Sequence, residues 1–328
     1  MRGLVIPRTT GPDAAVLRND VPEPEGAHPW ADGKRLLVEV RAAAVAFPDV
    51  LQSRGEYQHG SPAPYVCGGE YAGIVLEAPA NSRFAPGDRV AGLSVWGSLA
   101  ERVLGIPRYT VKLPDSMTWT QGAAYFLNYA TAWFTLYRAG FTDGESVLVH
   151  GAAGGVGTAA LDLLRGRAKP AIAVVSSDAK ETVARQCGAD AVLRGDGAWT
   201  AASRELTGTG VDVVVDTVGG DRLTESLRCL DVGGRLMVVG FAGGSIPEIR
   251  ANRLLLRDLT VMGVALEPWE RRFPGFATEL IEGLEGTAAS GHVRPYIGHR
   301  LPFDRAQEAL GIIDRREALG KVVVDIAG

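Results

Sequence analysis

The sequence predicts an α/β protein in which a doubly wound parallel sheet accompanies a second, mostly β lobe. Three observations predict it. From Ser146 onward, short runs of valine, isoleucine and leucine alternate with segments of helical length and spacing, the pattern of a parallel sheet covered by helices on both faces. A glycine-rich stretch, GAAGGVG at 151–157, stands between the first of these strands and the first helix. The opening third is instead rich in valine, proline and glycine and reads as strands and turns. A chain of 328 residues is also too long for one ordinary core, so two domains are expected.

Taken in order, RLLVEVRAAAVAF (35–47) and YAGIVLEA (71–78) read as strands, and PGDRVAGL (86–93) as a turn entering another. This lobe is assigned residues 1–121. QGAAYFLNYATAWFTLYRAG, from Gln121, is apolar at helical spacing and ends at Gly140, a residue suited to a C-cap. It opens a second domain assigned 122–258. There SVLVHG, PAIAVVS, ADAVLR, VDVVVDTVG and GRLMVVGFAG read as strands, and GTAALDLLRGRA, DAKETVARQCGA and DRLTESLRCLD as helices. Beyond LTVMGVAL (259–266) the chain offers a long helix and a last strand, GKVVVDI. Residues 259–328 are expected to return to the first lobe.

Composition narrows the function classes. A hydrophobic fraction of 46% with 22% charged residues is that of a soluble globular protein. Formal net charge is −4 and no run of lysines and arginines forms a phosphate-tracking stripe, so nucleic acid is not an expected partner. No segment has the roughly 20 apolar residues that span a bilayer, and the opening MRGLVIPRTTGPD lacks the apolar length of a secretory signal, so the expected address is the cytoplasm. Cys67, Cys187 and Cys229 are odd in number and widely spaced, which argues against a disulfide framework. Each reads as a small buried hydrophobe.

The glycine-rich turn carries the chemistry. A strand ends at His150 and a helix is expected from near Gly157. Ala152, Gly154 and Gly157 fit the dinucleotide fingerprint with alanine in place of its first glycine, and Ala153, Gly155 and Val156 complete the turn. Small residues let the backbone turn tightly and let a pyrophosphate approach it, while the helix start offers free N–H groups and partial positive charge. At the end of the next strand, AVVSSDAK places Val175 and Ser176 where an NAD-binding chain carries an acid. Ser176, Ser177 and Lys180 would bind a 2′-phosphate that such an acid would repel, so the cofactor reads as NADP(H). The competing role for Ser177 or Asp178 is a plain helix N-cap.

VLVHGAAGGVGTAALDLLR, AAAVAFPDVLQSRGEYQ, PGDRVAG and GRLMVVGFAGG together resemble the medium-chain dehydrogenase/reductase superfamily. Within it the chain is most similar to the zinc-free, zeta-crystallin-like quinone oxidoreductases. The resemblance implies a GroES-like catalytic domain made of both chain ends, with a Rossmann domain between them. Zinc-dependent relatives carry a cysteine shortly after a Gly-Val pair and a Gly-His-Glu triplet. The matching stretches are AVAFPD (44–49) and CGGE (67–70), so those cysteine and histidine ligands are missing and no catalytic metal is expected. His28, His59, His150, His292 and His299 show no ligand spacing, and surface or strand-end roles suffice for them.

Without a Lewis acid, alcohol oxidation gives way to an acceptor that is already electrophilic. The resemblance implies hydride transfer from NADPH to a quinone or a conjugated enone. Enoyl thioesters and 2-alkenals are the alternatives on the same scaffold, and a binding or structural role with little catalysis, including RNA binding, is the alternative of another class. Tyr57 is the candidate hydrogen-bond donor to a developing oxyanion, or else part of the pocket wall. Asn128 and Thr131 match an element beside the nicotinamide; Val218, Gly240 and Phe241 follow strands that line the crevice. Arg194 and Arg316 match places beside a 2′-phosphate or are surface charges. Ala46 and Leu51 stand where relatives carry polar groups, which implies a more apolar substrate. Phe47, Trp96 and Trp269 are further candidates for the substrate wall, with core packing the competing role. The resemblance also implies a homodimer joined through the edge strand LTVMGVAL.

Overall fold

The computed structural model describes residues 1–327. Among them the chain forms two compact units, Met1–Leu127 with the segment from Gly275 onward, and Asn128–Pro274. Along the chain the first unit contributes β1 (Gly3–Ile6), β2 (Val16–Arg18), β3 (Leu37–Val45), α1 (Phe47–Arg54), β4 (Tyr65–Val66), β5 (Glu70–Glu77), β6 (Arg89–Leu93), β7 (Arg102–Leu104), β8 (Thr110–Lys112) and α2 (Trp119–Ala123). Helix α3 (Phe126–Ala139) follows. The second unit carries β9 (Val147–His150), α4 (Gly155–Leu164), β10 (Ala171–Val175), α5 (Asp178–Gln186), β11 (Ala191–Arg194), α6 (Trp199–Thr207), β12 (Val211–Asp216), α7 (Arg222–Cys229), β13 (Leu230–Val238), α8 (Asn252–Leu255), β14 (Thr260–Gly263) and α9 (Leu266–Arg272). The chain closes with α10 (Phe276–Ala289), β15 (Ile297–Pro302), α11 (Ala306–Asp314) and β16 (Lys321–Asp325).

Among the described residues, the second unit is built on a six-stranded sheet in the order β11-β10-β9-β12-β13-β14, with every pairing parallel. Its central strands are buried along their whole length, as in VLVH and AIAVV. This is why they read as continuous apolar runs rather than alternating ones. Leu148, Ile172, Val174, Val214 and Leu236 form the centre of that core. Strand order reverses between β9 and β12, and the loops leaving these two strands therefore flank the switch point where such sheets bind ligands.

The first unit holds a seven-stranded sheet, β15-β16-β3-β5-β6-β8 with β7 on β3, and a smaller one, β2-β1-β4. Strand β16, from the chain's end, pairs antiparallel with β3 in register Val323 to Ala44, so both ends of the chain build this unit. The α/β class with a doubly wound parallel sheet and a mostly β second lobe therefore holds.

Several boundaries differ from the sequence reading. The helix expected from Gln121 is two helices, interrupted where Tyr125 turns into the core and donates to Leu284 O (2.7 Å). The chain re-enters the first unit at Gly275 rather than 259, because β14 completes the parallel sheet beside β13. Helix α6, whose apolar face is short, and strand β15, whose apolar residues are interrupted by Gly298, His299 and Arg300, are not evident in the sequence.

Candidate functional site

Helix α4 begins at Gly155, two residues before the expected start, with Gly154 as its N-cap. The chain leaves β9 through Gly151, which takes φ +61, and a Cβ there would stand 2.4 Å from Thr217 Oγ1. The tight turn thus falls on Gly151, one residue before Ala152. Gly157 cannot bear a side chain, since its Cβ would lie 2.3 Å from Gly151 O. Ala152 and Ala153 are buried beneath the turn. A Cβ placed on Gly154 would have only Gly151 O near it (3.3 Å), so the N-cap of α4 is not crowded, and the first-turn N–H groups of a helix have no partner within it.

Two further candidates, Asn128 and Val218, border this turn. The Asn128 amide lies against Gly155, where a Cβ would come within 2.7 Å of its nitrogen. Thr131 follows one helical turn later on α3. Val218 borders Gly151 at 3.2 Å from the same hypothetical Cβ. The loop Val239–Gly244 runs beside Thr217–Gly219 through Ala242 N to Thr217 O (3.2 Å) and Gly243 N to Val218 O (2.8 Å). This brings Gly240 into the group and sets the Phe241 ring against Gly219. Asp216 shapes the loop by accepting from Val218 N (2.8 Å) and Gly219 N (2.9 Å). Beside it His150 is fully buried, bonded to Ser226 Oγ (2.9 Å), and burial lowers its pKa to about 4 against the pull of Asp216. His150 is thus a core histidine.

At the end of β10, Ser177 caps α5 by accepting from Lys180 N (3.4 Å), and Lys180 Nζ donates to Ser176 Oγ (3.1 Å). Arg194, closing β11, reaches Asp178 at 3.2 Å. Capping and clustering of polar groups coexist here. Arg316 belongs to the other unit, on an exposed turn after α11 with φ +60.

In the first unit, Ala46 is the N-cap of α1 and has no polar side chain; its N–H donates instead to Asp49 Oδ2 (2.7 Å). Asp49 is buried, and burial raises its pKa to about 7. Phe47 is 46% exposed and Leu51 half-buried on the same helix. Tyr57 stands edge-to-face with His59 (5.6 Å), His59 with Trp30 (5.2 Å), and His28 packs on Trp96 (4.7 Å). His28, expected at the surface, is buried, and desolvation brings its pKa down to about 4. Trp269 lies in the second unit, packed on Phe273 (4.2 Å) and under the Arg138 guanidinium (3.8 Å).

Sequence reasoning missed the charged interior of this first unit. Glu70 is paired with Lys321 and also accepts from Leu127 N (3.0 Å), both acid and base being buried. A lysine opening the apolar run KVVVDI was the available signal, because a buried ammonium requires a partner. All three cysteines are free and buried, and burial pushes the Cys67 thiol well up.

Residues 32–115 match the alcohol dehydrogenase GroES-like domain and residues 155–282 the zinc-binding dehydrogenase family. The chain is 34% identical to the quinone oxidoreductase-like protein 2 of Bos taurus, over 95% of this chain and 89% of that protein. A crystal structure of a "probable oxidoreductase" from Mycobacterium abscessus superposes with a TM-score of 0.88 at 36% identity, over 99% and 98% of the two chains. The quinone oxidoreductase of Thermus thermophilus, solved also in complex with NADPH, gives 0.82 at 31% identity, over 99% and 100%. Among the described residues no helix is long and apolar enough to cross a membrane.

Proposed function

Because this chain belongs to the medium-chain dehydrogenase/reductase superfamily, in its quinone oxidoreductase branch, we propose that it is a zinc-independent enzyme that uses NADP(H) to reduce a quinone or a conjugated enone. The observation that carries the cofactor is the turn of small residues from Gly151 to Gly157, in which Gly151 and Gly157 have no room for a side chain, at the start of a buried helix. The N-terminus of that helix suits a pyrophosphate. Ser176, Lys180 and Arg194 offer hydroxyl and cationic donors to a 2′-phosphate at the end of β10. Asn128, Thr131, Val218, Gly240 and Phe241 provide the wall on which a nicotinamide ring would rest. The NADPH complex of the Thermus relative supports the same choice.

When bound, the reduced cofactor supplies a hydride. The protein's own part is to seat the acceptor and to stabilise the charge that develops on its oxygen. The Tyr57 phenol donates a hydrogen bond to that oxygen without itself ionising. Ala46, Phe47, Leu51 and Trp96 supply an apolar wall suited to a poorly hydrated acceptor.

Zinc does not fit the residues present. Among the described residues no three histidine, cysteine or acidic side chains come together. Ala46 and Gly69 have no side-chain donor, Cys67 is a lone buried thiol, and Glu70 is already paired with Lys321. Charge on the substrate oxygen is therefore met by hydrogen bonding. We further propose a homodimer joined through β14, an edge of the six-stranded sheet.

The test is a steady-state comparison of NADPH and NADH against a 1,4-quinone, an alkyl enone and a crotonyl thioester, before and after exhaustive chelation. The proposal requires faster turnover with NADPH, a quinone or enone as the better acceptor, and rates that chelation leaves unchanged. A preference for the thioester, or activity restored only by added zinc, would refute it.

A further inference from the structure

Gly195 follows β11 and its N–H donates to Val175 O (2.8 Å), which sets it beside the end of β10 and next to Ser176. Its backbone is not in the left-handed region, so no turn demands a glycine here. The space explains it. A Cβ at 195 would stand 2.9 Å from Nη2, 3.0 Å from Nη1 and 3.1 Å from Cζ of Arg222. The Arg222 guanidinium, carried on the first turn of α7, therefore lies across the bare glycine.

Arg222 forms no ion pair with a carboxylate among the described residues, whereas its neighbour Arg194 reaches Asp178, whose side chain is 97% exposed. Asp196 and Asp221, which flank Gly195 and Arg222 in the chain, are both exposed. Lys180, Arg194 and Arg222 thus gather around Ser176 and Gly195 with one paired carboxylate among them. A guanidinium presents a planar fork of donors that matches phosphate oxygens in a way an ammonium does not.

We infer that Arg222, admitted to the end of β10 by the missing side chain of Gly195, is a specificity-determining residue for the adenosine 2′-phosphate. The inference rests on the NADP(H) reading above and adds to it a residue from a different strand-helix connection. Two unpaired or weakly paired guanidinium groups and an ammonium favour a doubly charged phosphate, and they gain little from a neutral 2′-hydroxyl. The discrimination therefore lies in this cluster, and Gly195 is the sequence feature that permits it.

Calorimetric titration of the full chain with 2′,5′-ADP and with 5′-ADP tests this without turnover. Arg222→Gln should weaken 2′,5′-ADP about tenfold or more, the loss expected for one charge-assisted hydrogen bond, and leave 5′-ADP within about twofold. Gly195→Val keeps every charge but evicts the guanidinium, the flexible end of a long side chain, and should reproduce the effect; Arg222→Lys should restore part of it. The inference is overturned if 2′,5′-ADP binds Arg222→Gln as tightly as wild type, or if both nucleotides weaken equally. A wild-type protein that binds 5′-ADP as tightly as 2′,5′-ADP would instead remove the cofactor reading itself, and this inference with it.

Discussion

The Lys321 ammonium and the Glu70 carboxylate form an ion pair sealed inside the first unit, across 251 positions of the chain, with side chains 3% and 1% exposed. The pair binds the chain's last strand to the start of β5, and the same carboxylate accepts from Leu127 N at the head of α3. Removing one partner leaves an uncompensated charge in low dielectric. Lys321→Met should therefore lower unfolding stability by about 3–5 kcal/mol, and adding Glu70→Gln should recover part of that loss. Chemical denaturation of the two variants measures both, and equal midpoints for wild type and Lys321→Met would contradict the account.

Asp49 gives a pH dependence of definite sign. Burial holds its pKa at about 7 in the folded chain, above the roughly 3.9 of an unfolded aspartate. The fold thus favours the protonated acid, so stability from this group is full below about pH 4 and is lost as pH rises toward 7. Asp49→Asn removes that loss. The variant should be more stable than wild type at pH 8, by up to about 4 kcal/mol for a difference of roughly three pKa units, and the difference should shrink as pH is lowered. A constant difference across pH would show that Asp49 does not titrate there.

For Tyr57 the expected result separates its two roles. Tyr57→Phe keeps the ring against His59 and deletes the donor. If the hydroxyl stabilises the developing oxyanion, kcat falls about 10- to 100-fold while KM changes little. An unchanged kcat would leave Tyr57 as wall alone.

Strand β14 offers an unpaired edge, and just before it Leu255 and Leu256 are 82% and 74% exposed. Light scattering should give twice the chain mass at micromolar concentration. Thr260→Lys combined with Leu256→Lys, both at exposed positions, places charge on that edge and should yield monomers with an unchanged fold by circular dichroism. A wild-type chain already monomeric would end the proposal.

Much of the second unit was legible in the sequence because its signals are local. Fully buried parallel strands read as unbroken apolar runs, and the turn at 151–157 carries its purpose in its small residues. The fingerprint still misplaced one duty. Gly151, outside the pattern as aligned, supplies the positive φ, because what the turn requires is a glycine where the chain leaves β9, wherever the rest of the motif falls. Gly195 was silent for a related reason. A glycine without a turn has no meaning until the side chain that occupies its space is known.

In the first unit the limits were greater. Tyr57 and Trp96 were singled out, but their ring neighbours His59 and His28 were set aside, since edge-to-face and tilted ring contacts depend on how loops fold back on one another. Alternation of apolar runs with helical segments determined the parallel sheet, and the small residues at 151–157 determined the nucleotide turn. Only the tertiary structure decided which charges are buried together and which arginine lies over which glycine. Those facts depend on distances between segments that are remote along the backbone, and a linear pattern records composition and period but not proximity.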